Sequence, residues 1–194
     1  MTNADPIILA LGDSLVAGYG LTQEDGLAAL LQRRLTARWP AATVINAGVS
    51  GDTSADVRRR LPRLLTRLTH RPDLALVQVG PNDLLRGVTP AELRANLSAI
   101  VRDLMSCAIP VLLTSVEPPA ILRARAAPYQ AIHADVARDT DASLCSFFPD
   151  GVLGHPDMVL GDRVHPNARA IAAVVDHLLP HVEAALRRSG DDAA

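Results

Sequence analysis

Five short apolar runs alternate along the chain with longer segments of helical periodicity. Each run is continuous rather than alternating, which is typical of strands buried on both faces of a parallel sheet. The pattern predicts strands at residues 7–11, 43–46, 74–79, 111–115 and 143–147.

Four other segments, at residues 27–35, 61–68, 93–104 and 167–188, place aliphatic residues three and four positions apart, as amphipathic helices do. Thr89-Pro90-Ala91-Glu92 supplies an N-cap, a proline at the first helical position and an acid at the third. Pro62 predicts a late start or a bend in the second helix, and Pro180 predicts a kink or an interruption in the last.

Strands that alternate with helices indicate an α/β protein. We predict a three-layer α/β/α sandwich around a five-stranded parallel sheet. The 194 residues fit a single domain spanning 1–194, with about 189–194 as a frayed tail. Hydrophobic residues make up 48% of the chain, which is too many for a disordered protein.

Charge and aromatic content exclude some partners. The 19 basic and 21 acidic residues give a net charge of −2, so no strong field draws the chain to nucleic acid or to an anionic membrane. Aromatic residues make up 3% of the chain, too few for a single-stranded nucleic-acid binder.

Cys107 and Cys145 lack the spacing of a zinc site, and we expect both to be packing residues.

The first residues carry neither a basic segment nor an apolar segment of signal-peptide type, and no apolar run is long enough to span a bilayer. We therefore expect no integral membrane span. The chain as written is expected to be cytoplasmic, or periplasmic or secreted if a signal peptide has been removed from it.

Polar clusters follow three of the predicted strands, and a fourth cluster precedes the last helix. They are Gly12-Asp13-Ser14-Leu15, Gly48-Val49-Ser50-Gly51-Asp52, Gly80-Pro81-Asn82-Asp83 and Gly161-Asp162-Arg163-Val164-His165-Pro166-Asn167. Sites in open α/β sheets lie outside the carboxyl ends of the strands. We therefore expect the four clusters to converge on one edge of the sheet.

Ser14 and His165 are candidates for a nucleophile and its base. Asp162 lies three residues before His165, a spacing that lets its carboxylate accept the imidazole N–H and fix the tautomer. Ser14 also has the ordinary explanation of an N-cap. His155 precedes a proline as His165 does, but a lone His-Pro pair is more often a turn.

Acyl transfer also needs hydrogen-bond donors aimed at the developing oxyanion. The backbone N–H groups of Ser14 and Gly51 and the side-chain amide of Asn82 are candidate donors. Each has a structural alternative, since Gly51 is also typical of a turn, and Asn82 with Asp83 of an Asx turn.

These clusters resemble the conserved blocks of the GDSL hydrolases, also called SGNH hydrolases. Gly12-Asp13-Ser14-Leu15 spells the first block, and Gly51, Asn82 and the segment Asp162-Arg163-Val164-His165-Pro166 follow in the family's order. The likeness covers essentially the whole chain and is closest to the small bacterial branch of thioesterase I, lysophospholipase and arylesterase type. It implies the flavodoxin-like SGNH fold.

The resemblance implies Ser14 as the nucleophile, His165 as general base and then acid, and Asp162 as its orienting carboxylate. It implies an oxyanion hole made by Ser14, Gly51 and Asn82. No metal or organic cofactor is expected, and the expected partner is a small-molecule ester or thioester. The substrate-binding candidates are Asp13, which the family uses more as a structural residue, together with Pro81, Pro119 and Ile121.

One block departs from the family. Many relatives have Gly-Gly-Asn-Asp where this chain has Gly80-Pro81-Asn82-Asp83. Proline fixes φ and removes an N–H, so our hypothesis is that Pro81 pre-organises the oxyanion hole and narrows the range of accepted substrates. The loop at 117–122 is either an acyl-pocket wall or a structural loop. The arginines Arg58, Arg59, Arg60, Arg63 and Arg67 predict a solvated helix face more than a phosphate site.

The predicted activity is hydrolysis of short- to medium-chain acyl or aryl esters, with thioesters and lysophospholipids as further candidates. Three other readings stay open: a catalytically silent GDSL-like binding protein, a deacetylase of carbohydrate or amino-acid derivatives, and a flavodoxin-like receiver module. The receiver module would need a lysine facing its acidic cluster, and the chain contains no lysine.

Overall fold

A computed structural model describes residues 5–118 and 120–191. Over this range a five-stranded, fully parallel sheet forms in the order β2-β1-β3-β4-β5. Its strands are β1 (Ile7–Gly12), β2 (Thr43–Gly48), β3 (Leu74–Gln78), β4 (Val111–Ser115) and β5 (Ser143–Ser146). The continuous apolar runs therefore identified all five strands, with ends at most two residues from those predicted.

Eight α-helices lie in the described part of the chain. They are α1 (Ser14–Ala17), α2 (Leu27–Leu35), α3 (Ser54–Leu65), α4 (Pro81–Arg86), α5 (Pro90–Ser106), α6 (Arg123–Ala126), α7 (Ile132–Thr140) and α8 (Ala168–Asp191). Short 3₁₀ turns occur at Gln23–Asp25, Ala120–Leu122, Ala127–Tyr129 and Pro156–Met158. The helices include none that is both long and apolar enough, within the residues described, to cross a membrane.

Two apolar clusters, one on each face of the sheet, make the core. Ile8 and Leu76 face α2 and α8, whereas Leu9 and Val77 face α3, α5 and α7. Neighbouring strand residues thus bury their side chains on opposite sides, which explains why the strand sequences are apolar without alternation. This arrangement confirms the predicted three-layer sandwich.

The two helix prolines lie inside continuous helices, so the late start offered for Pro62 and the interruption offered for Pro180 are wrong, whereas the alternatives of a bend and a kink stay predictions. Pro62 lies inside α3 and Pro180 inside α8, both with exposed side chains. Each removes one helical hydrogen bond, but the buried faces around Leu61 and Leu178 hold the helices against the sheet. Helix α8 continues to Asp191, past the end predicted at residue 188, and residues 192–194 lie outside the described range.

The sheet order places a topological switch beside β1, since β2 and β3 pair with its two edges. The carboxyl ends of β1, β2 and β3 therefore open onto the same crevice. Gly48, at the end of β2, lies so close to α1 that a Cβ would overlap the backbone of Ala17. Glycine at this position thus lets α1 sit directly on the end of β2.

Candidate active site

Ser14 is the first residue of α1, directly beyond β1. Asp13 is the N-cap, because its Oδ1 accepts the backbone N–H of Leu15 at 3.0 Å. The N-cap explanation of Ser14 is therefore wrong by one residue. The Ser14 hydroxyl is instead 3.1 Å from Nε2 of His165.

His165 and Asp162 share one turn before α8. Nδ1 of His165 lies 2.7 Å from Oδ2 of Asp162, while Oδ1 of Asp162 accepts the backbone N–H groups of Val164 and His165 at 2.9 and 3.0 Å. The hydrogen bond from the Val164 N–H, followed by those from His165, lowers the pKa of Asp162 to about 2. An ionised Asp162 accepts a hydrogen bond from the Nδ1–H of His165, which leaves Nε2 free to accept a proton from Ser14.

The contact between Tyr19 and His165 was not predicted from the sequence. Its ring lies over His165 with centroids 4.3 Å apart and an angle of 35° between the planes, although 51% of Tyr19 remains exposed. The left-handed turn at Gly18, with φ 81°, precedes Tyr19 and allows its ring to reach His165. The motif Gly18-Tyr19-Gly20 is a signal of such a turn, but not of what its aromatic ring contacts.

Asn82 and Gly51 lie in the loops after β3 and β2. The Asn82 amide donates from Nδ2 to the Asp52 carbonyl oxygen at 3.0 Å, with Oδ2 of Asp13 at 3.4 Å. Gly51 has φ 87°, a conformation that strains any residue with a Cβ. The structure therefore brings Asn82 beside Asp13, which directly precedes Ser14, and gives Gly51 a backbone conformation that favours glycine.

Asp83 and Ser54 form a buried link between these two loops. Both residues are 0% exposed, and Asp83 accepts the Ser54 backbone N–H at 2.9 Å and the Ser54 hydroxyl at 2.5 Å. Asn96 completes the link by donating to the Ser54 hydroxyl oxygen at 3.1 Å. Desolvation raises the pKa of Asp83 in spite of these hydrogen bonds. The link fixes Asn82 relative to the loop of Gly51, and the Asx-turn explanation of Asp83 does not describe it.

Asp13 lies beneath Ser14 and is only 1% exposed. Desolvation raises its pKa to about 6, although the Leu15 N–H opposes the shift. Its contacts with Leu15 and Asn82 are those of a structural residue. Its burial favours the structural role over contact with substrate.

Arg60 connects the loop after β2 to the end of β1. Its Nε lies 2.6 Å from Oδ2 of Asp52, and its terminal nitrogen donates to the Gly12 carbonyl oxygen at 3.0 Å. The predicted solvated face describes Arg59, whose side chain is 75% exposed beside Asp56, but not the inward-facing Arg60. An arginine run has no periodic signal that distinguishes the two.

His133 contacts the loop that follows β3. Its Nε2 lies 2.9 Å from the Val79 carbonyl oxygen, and its ring borders Gly80, which has φ 129°. Burial lowers the pKa of His133, which favours the neutral ring. His133 is the second residue of α7 and is partly buried, because α7 packs on the sheet.

The remaining candidates have mixed positions. Pro81 occupies the first position of α4, where the missing N–H costs no helical hydrogen bond. Ile121 is 91% exposed and so lines no enclosed pocket, and Pro119 lies outside the described residues.

Nδ1 of His155 accepts the Asp157 N–H at 3.2 Å, which is the structural turn predicted for this residue. Cys107 caps α5 and is exposed, contrary to prediction, whereas Cys145 is buried.

Residues 10–173 match the model of the GDSL-like lipase/acylhydrolase family. Esterase TesA of Pseudomonas aeruginosa is 34% identical over 89% of this chain and 86% of its own length. Thioesterase 1/protease 1/lysophospholipase L1 of Escherichia coli is 34% identical over 91% of this chain and 83% of its own length.

A solved structure extends this likeness to three dimensions. The psychrotrophic esterase EstA from Pseudoalteromonas, solved with monoethylphosphonate as inhibitor, superposes with a TM-score of 0.85 and 33% identity. The match covers 94% of this chain and 100% of the EstA chain. Sequence, fold and the order of the four blocks agree, and the chain belongs to the GDSL-like lipase/acylhydrolase family.

Proposed function

We propose that this protein is a serine hydrolase that cleaves carboxylic esters through an acyl-enzyme on Ser14. The continuous chain of contacts from Ser14 through His165 to Asp162, at 3.1 and 2.7 Å, carries the proposal. A hydroxyl paired with an imidazole that a carboxylate orients is the arrangement that nucleophilic acyl transfer requires.

In the first half of the reaction His165 takes the proton of Ser14 while the Ser14 oxygen attacks the ester carbonyl. Asp162, ionised because its pKa is held at about 2, stabilises the imidazolium that forms. His165 then donates this proton to the leaving alcohol or thiol. Water repeats the sequence with His165 as its base and releases the acid, leaving Ser14 unmodified.

The developing oxyanion is assigned to the N–H groups of Ser14 and Gly51 and the amide of Asn82. Two features support this assignment. One N–H of Asn82 donates to the Asp52 carbonyl oxygen at 3.0 Å, so the plane of its amide is fixed before substrate binds, and the other, which makes only a long 3.4 Å contact with Oδ2 of Asp13, is the one assigned to the oxyanion. The buried link from Asp83 to Ser54 joins the loops of Asn82 and Gly51. Donors held in this way need little reorganisation in the transition state.

The substrate class follows from the relatives and from the open site. The two curated relatives named above act, by their names, as an esterase and as a thioesterase and lysophospholipase. The side chains of His165 and Asp162 remain 24% and 38% exposed. We assign short- to medium-chain esters as substrates, with thioesters and lysophospholipids as candidates that share the same acyl chemistry.

A panel of p-nitrophenyl esters from acetate to palmitate, with acyl-CoA thioesters alongside, tests the proposal. We expect turnover by the unmodified chain and background rates for Ser14→Ala. Ser106→Ala, on the exposed end of α5, is the matched control and should keep full activity. Turnover that persists in Ser14→Ala would show that another residue is the nucleophile. A folded protein that hydrolyses no member of the panel would favour the silent binding protein.

Pro81 is the residue we assign to substrate range. It fixes the chain between Gly80, which needs a left-handed φ of 129°, and Asn82. Pro81→Gly should relax this junction and raise activity on long acyl esters relative to acetate. The measurement is the ratio of kcat/KM for the two esters, and an unchanged ratio would contradict the assignment.

A further inference from the structure

Arg60 makes the least exposed arginine ion pair in the described part of the chain. Its side chain and that of its partner Asp52 are 25% and 13% exposed. In every other arginine ion pair of the described residues, at least one side chain is 47% exposed or more. Water screens a covered pair less than a surface pair, so the contact between Arg60 and Asp52 is the stronger kind.

Helix α3 directs Arg60 back towards the loop that precedes the helix. Side chains on a helix lean towards its N-terminus, and Asp52 lies two residues before the first residue of α3. Arg59, the neighbouring arginine, is 75% exposed and pairs with Asp56 inside α3 itself. Of these two arginines, Arg60 is therefore the one that contacts a loop of the site.

The guanidinium group of Arg60 binds two segments at once. Its Nε lies 2.6 Å from Oδ2 of Asp52, and its terminal nitrogen donates to the Gly12 carbonyl oxygen at 3.0 Å. Gly12 ends β1 two residues before Ser14, and its carbonyl oxygen also accepts the Val49 N–H at 3.0 Å. The planar guanidinium thus joins the loop after β2 to the strand end that precedes the nucleophile.

Asp52 contacts Arg60 through its side chain and Asn82 through its backbone. The Asp52 carbonyl oxygen accepts a hydrogen bond from Nδ2 of Asn82 at 3.0 Å. Gly51, which carries another of the assigned oxyanion donors, directly precedes Asp52. A displacement of Asp52 would therefore move two of the three assigned donors together.

We infer that Arg60 is a positioning residue of the oxyanion hole. Through Asp52 it orients the amide of Asn82 and the backbone N–H of Gly51. Its second contact fixes the end of β1, from which the nucleophile follows. The inference rests on the proposed function and deepens it, because it adds a residue that acts through the assigned donors rather than on the ester itself.

Other contacts preserve the fold when Arg60 is replaced. The buried hydrogen bonds between Asp83 and Ser54 still join the loops after β2 and β3. What is lost is the placement of the Asp52 carbonyl oxygen, and a misplacement of about 1 Å in a catalytic arrangement can cost about 10²-fold in rate. The donors act on charge that develops in the transition state, so the loss should appear in kcat rather than in KM.

Steady-state kinetics of Arg60→Met on one p-nitrophenyl ester test the inference. Methionine keeps an apolar stem and removes both hydrogen bonds. We expect kcat to fall about 10²-fold with little change in KM. Arg59→Met, from the exposed neighbouring position, is the matched control and should keep full activity. An unchanged kcat in folded Arg60→Met, a loss confined to KM, or an equal loss in Arg59→Met would overturn the inference.

A double-mutant cycle with Asn82→Ala tests whether Arg60 acts through the oxyanion hole. Residues that act through a shared partner have non-additive effects. Because the donor that Arg60 orients is already absent in Asn82→Ala, adding Arg60→Met should lower kcat by only about tenfold or less. A loss as large as the one in the unmodified chain would show that Arg60 acts elsewhere, and would overturn the inference.

Chemical rescue separates positioning from folding. Guanidinium ion at a non-denaturing concentration offers Arg60→Ala the planar donors that match both acceptors, whereas methylammonium does not. We expect guanidinium to raise kcat of Arg60→Ala more than methylammonium does, and to leave Arg59→Ala unchanged. No rise with guanidinium, or an equal rise in Arg59→Ala, would overturn the inference.

Arg60→Lys serves if the shorter side chains do not fold. It keeps a charge beside Asp52 but lacks the guanidinium geometry, so kcat should fall about tenfold. Full kcat in folded Arg60→Lys would overturn the inference.

Ser14→Ala distinguishes a failure of this inference from a failure of the proposed function. Background rates in Ser14→Ala together with full kcat in Arg60→Met would contradict the role of Arg60 alone. Turnover that persists in Ser14→Ala would contradict the proposed function, whatever the rate of Arg60→Met.

Discussion

Two aspartates near Ser14 have pKa values that are shifted in opposite directions. Asp13, one residue before Ser14, is 1% exposed, and desolvation raises its pKa to about 6. Asp162, which contacts His165, has a 38% exposed side chain, and hydrogen bonds lower its pKa to about 2. Burial favours the neutral form of a carboxyl group, and accepted hydrogen bonds favour the charged form.

The comparison separates the two roles within the site. The exposed carboxylate stays charged, as the partner of an imidazolium must, and it can be assembled within one turn of chain. The buried carboxyl groups of Asp13 and Asp83 position Ser14, Asn82 and the loop of Gly51 at a cost in solvation. Burial alone would thus select Asp13 rather than Asp162, the carboxylate that contacts His165.

Asp162→Asn should show the largest effect. The amide cannot hold the imidazolium, and it favours the wrong tautomer of His165. We expect kcat to fall on the order of 10³ to 10⁴-fold with little change in the thermal midpoint. Asp157→Asn, in the same exposed segment, is the control and should be active. An Asp162→Asn rate within tenfold of the unmodified chain would contradict the role.

Asn82→Ala removes one assigned oxyanion donor and should lower kcat by about 10² to 10³. KM should change little, because the donor acts on charge that develops only in the transition state. Steady-state kinetics on one p-nitrophenyl ester make this measurement. An effect confined to KM would place Asn82 in substrate binding instead.

Asp13→Asn should make the protein more stable above pH 6. The pKa of about 6 in the folded protein exceeds the ordinary 3.8, so the folded state holds its proton more tightly than the unfolded one. The contribution of Asp13 to the free energy of unfolding is therefore complete below pH 3.8 and is lost as the pH rises through 6. We expect a gain on the order of 2 kcal/mol at pH 8 that shrinks towards pH 4.

Urea unfolding at several pH values checks this sign. Asp103→Asn, exposed on α5, is the control and should leave the pH dependence unchanged. A variant that loses stability equally at pH 4 and pH 8 would show that hydrogen bonding, rather than desolvation, governs the Asp13 carboxyl group.

Tyr19→Ala should have the smallest effect on catalysis. Aromatic contacts of this kind contribute about 0.5–1.5 kcal/mol, which predicts a two- to twelvefold fall in kcat if the ring orients His165. Tyr19→Phe keeps the ring and should retain nearly full activity. A fall as large in Tyr19→Phe would assign the effect to the phenol hydroxyl.

Local pattern accounts for what the sequence predicted well. Apolar runs of four to six residues marked every strand because the sheet is covered on both faces. The spacing of Asp162 and His165 within one turn, together with the four blocks at strand ends, predicted which residues would meet. Pairing of Ser14 with His165 then followed from the topology of a parallel sheet.

Long-range packing accounts for what was missed. The partners of Asp83 and His133 depend on how α3 and α7 lie on the sheet, which residue spacing does not encode. Cys107 continues the apolar periodicity of α5, but the helix ends at Ser106 and its backbone turns away. Helices α3 and α8 continue through Pro62 and Pro180 because the opposite helix faces are buried.

Fluorophosphonate labelling followed by mass spectrometry tests the central claim most directly, because it reports an activated serine without any assumption about substrate. The account predicts one adduct per chain on the peptide that contains Ser14, with labelling lost in Ser14→Ala and strongly slowed in Asp162→Asn. A label on any other residue, or one that persists in Ser14→Ala, would contradict it.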